Sequence, residues 1–97
     1  MSIWLKAVEI LETNGWCRGA FNNEKGEYCM VGALAKAWDP ELGIKNIQFT
    51  VFLAGINVKL RRAGVLGDDG PFIYNDTHTK EEIIQLLTKM HAMDASK

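Results

Sequence analysis

Apolar side chains recur at helical spacing in the first segment of the chain. Between Ile3 and Asn14 they follow the i, i+3, i+4, i+7 pattern of an amphipathic helix, at Trp4, Ala7, Val8 and Leu11. Ser2 can cap the first turn, because its hydroxyl oxygen can accept a hydrogen bond from a free backbone amide. Gly15 follows, and glycine readily adopts the positive φ that commonly ends a helix. The pattern predicts a helix from Ile3 to Asn14 and a sharp turn after it.

The helical pattern is lost between Trp16 and Tyr28. The residues from Asn22 to Gly26 are of the types that form turns, and the short segments on either side can pair as a small β-hairpin. From Cys29 to Trp38 the chain is apolar on nearly every side, which is typical of a helix buried at the centre of a domain. Gly32 within that segment would let another backbone approach closely.

Two further helices are predicted in the second half. The apolar residues from Asn46 to Ala63 have helical spacing, and the length of this segment favours a helix despite its β-branched residues. After Gly64, residues 65–76 are predicted to form a loop in which Phe72–Tyr74 is a brief extended segment. Thr79–Glu82 is a capping box. The last helix that it begins would bury Ile83, Ile84, Leu86, Leu87 and Met90.

Size and composition favour one compact domain over residues 1–97. The chain has 97 residues, of which 47% are hydrophobic and 24% charged, far from the polar composition of disordered chains. The predicted fold class is mainly α, in an α+β style. It has about four helices, with a small hairpin or extended element between the first and the second.

The charge balance and the apolar runs exclude several classes of partner. Eleven basic residues against twelve acidic ones give a net charge of −1, which argues against the basic surface of a nucleic-acid-binding protein. No apolar run approaches the roughly 20 residues of a membrane helix, and the N-terminus lacks the pattern of a signal peptide. We therefore expect a cytoplasmic protein. In that reducing compartment the two cysteines would remain free thiols.

Cys29 is the residue whose position best suits nucleophilic chemistry. A thiol at a helix N-terminus has its pKa lowered by the positive end of the helix dipole. His78 could act as the base, with Asp76 or Asn75 orienting its ring. This alternative is a cysteine-dependent hydrolase or transferase. We favour the other interpretation of Cys29, a small apolar residue in the core, because no motif in the sequence brings His78 to it.

Metal and cofactor sites are not predicted. The residue types that bind zinc are present at Cys17, Cys29, His78 and His91, but their spacing matches no zinc module. The glycines form neither a dinucleotide-binding nor a nucleotide-triphosphate-binding motif. The expectation is a protein without metal or cofactor.

Trp16 and Arg18 best suit binding to a partner protein. An aromatic ring and a guanidinium on one loop favour stacking and interface anchoring, although packing of Trp16 against the first helix is the favoured explanation of the tryptophan itself. Asn75 and Asp76 favour a turn in which their side chains bond nearby amides, and the same pair could hold the Trp16 loop in place. The predicted binding residues are these four.

Three short motifs, in this order, resemble those of a family of small proteins found in bacteria and their phages, a domain of unknown function. They are Trp16-x-x-Gly19-Ala20, then Cys29-x-x-Gly32-Ala33-Leu34, then Asn75-Asp76 followed by Thr79-x-Glu81-Glu82-Ile83-Ile84. Members of that family often carry a tryptophan where this chain has Tyr74. The resemblance implies no catalytic residue, activity or cofactor.

The predicted function is that of a non-enzymatic interaction or regulatory module. The resemblance implies a bacterial or phage setting, where small accessory proteins often bind and modulate a larger machine. A phage-encoded inhibitor of a host defence complex, for example an anti-CRISPR protein acting in the host cytoplasm, is the specific hypothesis. A protein partner is expected, and a homodimer through the long middle helix is a further hypothesis.

Overall fold

Helices build nearly all of the regular structure in the computed structural model, which describes residues 2–66 and 70–95. Five α-helices lie in this part of the chain, one more than the sequence predicts, and no regular strand does. They are α1 (Ile3–Asn14), α2 (Met30–Trp38), α3 (Phe49–Arg62), α4 (Pro71–Thr77) and α5 (Lys80–Ala95), with a short 3₁₀ helix, Gly43–Lys45, between α2 and α3.

The core lies where α1 packs against α2 and α5. The largest fully buried apolar side chains are Trp4, Leu11, Met30, Val31, Leu34, Leu60, Ile83 and Leu87. The ends of α1 are those predicted: the Ser2 hydroxyl accepts a hydrogen bond from the Leu5 amide at 3.3 Å, and Gly15 has a φ of 95°. The indole N–H of Trp4 donates to the Asp94 carboxylate, which ties α1 to the last turn of α5.

The central position of α2 is confirmed. Every residue from Met30 to Ala35 is buried, and so is Ala37. The backbone oxygen of Phe21 lies so close to this helix that a Cβ on Gly32 would sit 2.1 Å from it. The same oxygen accepts a hydrogen bond of 3.0 Å from the Cys29 amide. The predicted close backbone approach at Gly32 is therefore real, and it brings the loop after α1 onto the start of α2.

The predicted hairpin between Trp16 and Tyr28 is wrong as a strand pair. Tyr28 forms two isolated bridges, a parallel one with Trp16 and an antiparallel one with Asn22, and neither extends into a ladder. The turn forms as predicted, because the Asn23 side-chain oxygen accepts hydrogen bonds of 3.1 Å from two backbone amides after it. These side-chain bonds hold the turn together with a backbone bond of 3.0 Å from the Gly26 amide to the Asn23 carbonyl.

Phe72–Tyr74 is helical, which corrects the predicted extended segment. Gly70 is the N-cap of α4, and Pro71 occupies the first helical position, where the fixed φ of proline suits a helix. Of the loop predicted over residues 65–76, positions 67–69 lie outside the described residues. The correction matters because it places Asn75 on the last turn of a rigid element.

The middle helix, α3, forms close to the predicted bounds and buries one edge. Ile56 and Leu60 are its buried residues. Phe52 stacks on Trp38 of α2, with the ring centroids 4.4 Å apart. Among the described residues no helix is both long and apolar enough to cross a bilayer.

Candidate functional site

Asn75 joins the loop after α1 to α2 and α4. Its side chain is 1% exposed. The amide oxygen accepts hydrogen bonds from the Trp16 indole at 2.7 Å and from the Met30 backbone amide at 2.9 Å. The amide nitrogen donates to the Cys17 carbonyl at 3.1 Å and to an Asp76 carboxylate oxygen at 3.2 Å. These four bonds use both lone pairs and both protons of the side chain, so the amide orientation is fixed.

Arg18 and Asp76 complete the contacts of the loop with α4. The Arg18 guanidinium lies 4.8 Å from the centroid of the Trp16 ring and donates to the His78 carbonyl at 2.7 Å. The Asp76 carboxylate accepts a hydrogen bond of 3.1 Å from the Gly19 amide. We call Trp16, Arg18, Asn75 and Asp76 the brace. The sequence prediction that the Asn-Asp pair holds the Trp16 loop is confirmed.

The environment of Cys29 differs from the one expected for a nucleophile. The residue is 3% exposed, and its sulfur accepts a hydrogen bond of 3.3 Å from the Gly32 amide as the N-cap of α2. Burial raises the pKa of the Cys29 thiol above its ordinary 9.0, and this effect exceeds the lowering by the amides of Gly32 and Val31. The expected lowering of the thiol pKa at the helix N-terminus is therefore wrong, because desolvation of the charged form dominates.

The histidines are engaged elsewhere. Nδ1 of His78 lies 2.8 Å from the Tyr74 carbonyl, and the ring stacks on that of Tyr74 with the centroids 3.7 Å apart. Nδ1 of His91 lies 2.7 Å from the Ser2 hydroxyl. Within residues 2–66 and 70–95 neither ring is hydrogen-bonded to Cys29. The geometry therefore does not assemble the Cys29–His78 pair of the hydrolase alternative.

Asp76 and Asn75, the proposed orienting groups of that alternative, bond the Trp16 loop instead of an imidazole. Cys17 lies beside the brace, half-buried, and burial followed by the negative charges of Glu27 and Asp76 raises its thiol pKa as well. Among the described residues no cluster of three or more histidine, cysteine, aspartate or glutamate side chains is arranged to hold a metal ion.

An open cleft of about 460 Å³ lies between the loop and α4. Its lining residues are Gly19, Ala20, Phe21, Asn22, Cys29, Phe72, Asn75 and Asp76. Phe21 forms the apolar wall, with its ring edge-to-face against Phe72 at 5.2 Å and against Phe49 of α3 at 5.5 Å. Phe72 is 39% exposed, and the exposed Asp76 carboxylate adds one negative charge. We call this feature the brace cleft.

Sequence reasoning missed the two phenylalanines that shape the brace cleft. Phe21 was part of a predicted hairpin, and Phe72 part of a predicted extended segment. The available signal was Pro71, a residue favoured at the first position of a helix. A helix starting there turns Phe72 and Asn75 to the same side, three residues apart.

Comparison with known proteins places the chain in a family. The matching family model is described as a family of unknown function, DUF6197, and it covers residues 3–93, from the start of α1 into the last turns of α5. Searches of curated proteins and of solved structures each gave no match. The matched range contains the whole brace and the brace cleft. The chain belongs to the DUF6197 family.

Proposed function

We propose that this protein is a non-enzymatic interaction module that recognises a partner protein through the brace cleft. The observation that carries the proposal is the cleft itself: a concavity of about 460 Å³, with an aromatic wall and a partly exposed phenylalanine, Phe72. Concave sites in which one buried apolar side chain of the partner can anchor contribute most of the binding energy at many interfaces. The brace cleft has the size and the lining for such an anchor.

Rigidity of the cleft supports the same proposal. Asn75 lies on α4, on one side of the cleft, and its side chain bonds the Trp16 indole and the Cys17 carbonyl of the loop on the other side. A further bond, from the Met30 amide, ties it to α2. A preorganised surface loses little conformational entropy when a partner binds. A satisfied buried amide network of this kind is well suited to presenting a binding surface in one shape.

Two opposite charges border the loop. Arg18 and Asp76 are both exposed, although each makes one hydrogen bond across the loop. Exposed charges around an apolar centre add little affinity, but they set the orientation and the association rate of a partner. A partner fits this surface if its apolar anchor is flanked by a negative charge on the side of Arg18 and a positive charge on the side of Asp76.

We propose further that the partner is a larger bacterial complex in the host cytoplasm, and that a defence complex such as a CRISPR system is the first candidate to test. The support is the bacterial and phage setting that the sequence motifs imply, together with the near-neutral net charge of −1, which favours a protein over a nucleic acid as the partner.

Two substitutions on α4 test this function. Phe72→Ser removes an aromatic wall of the brace cleft. Ile73→Ser, the matched control, removes a more exposed side chain, 53% against 39%, that does not line the cleft. The wild type and the two variants are each immobilised on a resin and incubated with a bacterial lysate. The proteins that they retain are identified by mass spectrometry, and the best candidate is purified so that its affinity for each variant can be measured by titration. We expect Phe72→Ser to weaken binding at least about tenfold and Ile73→Ser to leave it within about twofold.

Equal retention by the wild type and Phe72→Ser would contradict the proposal. So would turnover of a substrate that the wild type catalyses and that Cys29→Ser abolishes, because that outcome would revive the cysteine-dependent alternative. Thermal unfolding of each variant checks that a lost interaction does not come from a lost fold.

A further inference from the structure

The solvent side of α3 carries an apolar face. Val51 is 67% exposed and Val58 46%, and Ile47, in the turn before the helix, is 91% exposed. Ala54 and Gly55 are exposed between the two valines. We call Ile47, Val51, Ala54, Gly55 and Val58 the outer face of α3. Residues three and four apart on a helix are neighbours on its surface, so Val51, Ala54, Gly55 and Val58 form one continuous strip.

Gly55 at the middle of this face has no steric reason among residues 2–66 and 70–95. Glycine in a helix interior costs about 1 kcal/mol of stability relative to alanine. Gly32 in α2 has a steric reason, since its Cβ would meet the Phe21 backbone oxygen at 2.1 Å. A Cβ on Gly55 would meet nothing within 4 Å among the described residues. A close approach by another backbone from outside the chain would supply the missing reason.

The outer face is symmetric about its small residues. Val51 lies three positions before Ala54, and Val58 lies three positions after Gly55. When two such helices cross antiparallel about a two-fold axis at the small residues, Val51 of each copy meets Val58 of the other. An isologous interface needs this self-complementarity, in which one surface patch is matched by itself.

The charges on α3 favour the antiparallel direction. Lys59, Arg61 and Arg62 lie in its last turn, and the helix contains no acidic residue. Its 14 residues make it about 21 Å long, so antiparallel packing separates the two basic ends by more than the Debye length of about 8 Å. Each basic end then lies across the segment that leads into α3 of the other copy. Residues 39–48 carry Asp39 and Glu41 against one lysine, Lys45, a net charge of −1.

We infer that the outer face of α3 docks on the same face of a second copy of this chain, with the two helices antiparallel. A contact between two helices of this length buries less surface than a standard interface, so the dimer is weak and its population depends on concentration. The brace cleft is not part of this contact, and the inference stands independently of the proposed function.

Sedimentation of the purified chain tests the inference. From about 5 μM to about 1 mM, we expect the mass to rise from 10.9 kDa towards twice that value. Val51→Asp places a charge in the face of both copies and should raise the dimer Kd at least about tenfold. Thr88→Asp, an exposed position on α5 and therefore outside this face, is the control and should change the Kd less than about threefold.

Disulfide cross-linking tests the direction of packing. In a Cys17→Ser background, copies with Val51→Cys are mixed with copies with Val58→Cys and oxidised. The antiparallel arrangement predicts that the mixed disulfide exceeds both homodisulfides. A mass of 10.9 kDa at every concentration, a dimer unaffected by Val51→Asp, or an excess of homodisulfides would each overturn the inference. Phe72→Ser, which alters the brace cleft, should leave the dependence of mass on concentration unchanged. The dimer and the proposed partner binding are therefore tested separately.

Discussion

Replacing Asn75 with alanine should be among the most destabilising single changes outside the apolar core. The substitution removes the acceptor of the Trp16 indole N–H and of the Met30 amide, and the donor to the Cys17 carbonyl. These groups belong to two segments, the loop after α1 and the start of α2. Their shared partner is 1% exposed, so water does not readily replace it. The free energy of unfolding therefore falls by the cost of leaving these buried polar groups without hydrogen-bond partners.

The size of this effect follows from the number of groups left unpaired. Each buried donor or acceptor without a partner costs about 1–3 kcal/mol. The Met30 amide is fully buried and contributes in full, whereas the half-buried Trp16 indole can partly regain water. The sum is about 3 kcal/mol, a large part of the 5–15 kcal/mol that stabilises a typical domain. For a chain of this size the melting temperature should fall by roughly 12 °C or more.

Urea unfolding followed by tryptophan fluorescence and by circular dichroism measures the loss. Asn57→Ala on α3 is the matched control. The Asn57 side-chain oxygen is buried and finds no hydrogen-bond partner among the described residues, so its removal should be neutral or stabilising. A loss below about 1 kcal/mol for Asn75→Ala, or equal losses for the two variants, would refute the role assigned to Asn75.

Four further substitutions have defined outcomes in urea unfolding. Gly32→Ala should lower the free energy of unfolding by at least about 3 kcal/mol, because the new Cβ would overlap the Phe21 oxygen. Gly55→Ala should raise it by about 1 kcal/mol in the monomer, because alanine favours a helix over glycine and the new Cβ meets nothing within 4 Å among the described residues. The reverse order of the two effects would contradict the packing of α2. Burial raises the folded-state pKa of Cys29 above 9.0, so its contribution to stability is full below pH 9 and declines as the pH rises further. Cys29→Ser should make that alkaline decline shallower, and an unchanged decline would count against burial of the thiol. Hydrogen bonds with Thr79 in the capping box hold the pKa of Glu82 below 4.5. The ionised Glu82 carboxylate therefore stabilises the fold above that pH, and this stabilisation is lost on acidification. Glu82→Gln should flatten the acid side of the pH profile, and a profile like that of the wild type would contradict the cap.

Strong local signals made much of the fold predictable. The spacing of apolar residues in α1, the nearly uniform apolar composition of α2 and the capping box of α5 each agree with the packing that surrounds them. The bonds of Ser2 and of the capping box form as predicted. Local preference and tertiary packing point to the same structure in these elements, which is why the sequence alone was sufficient.

The failures occurred where a local preference competes with long-range contacts. Phe72, Ile73 and Tyr74 favour strands, but the seven-residue helix α4 forms because Pro71 starts it and Asn75 anchors its end. The sign of the Cys29 pKa shift was wrong because the helix N-terminus is visible in the sequence, whereas the burial that outweighs it is a property of the folded chain.

The brace was predictable in part. The sequence indicated that Asn75 and Asp76 hold the Trp16 loop, since asparagine and aspartate commonly bond nearby backbone. It did not indicate that the Asn75 amide also reaches the start of α2, 45 positions earlier in the chain, because that contact depends on how α2 and α4 pack.

Hydrogen exchange at the indole N–H groups, followed by NMR, tests most directly the claim that the brace makes the Trp16 loop rigid. The Trp16 indole N–H donates a hydrogen bond to the buried Asn75 oxygen, whereas the Trp38 ring stacks on Phe52. The Trp38 indole therefore serves as an internal reference for that of Trp16. We expect the Trp16 indole to exchange at least about a hundredfold more slowly than that of Trp38, and Asn75→Ala to abolish the difference. Equal exchange of the two indoles in the wild type would contradict the account.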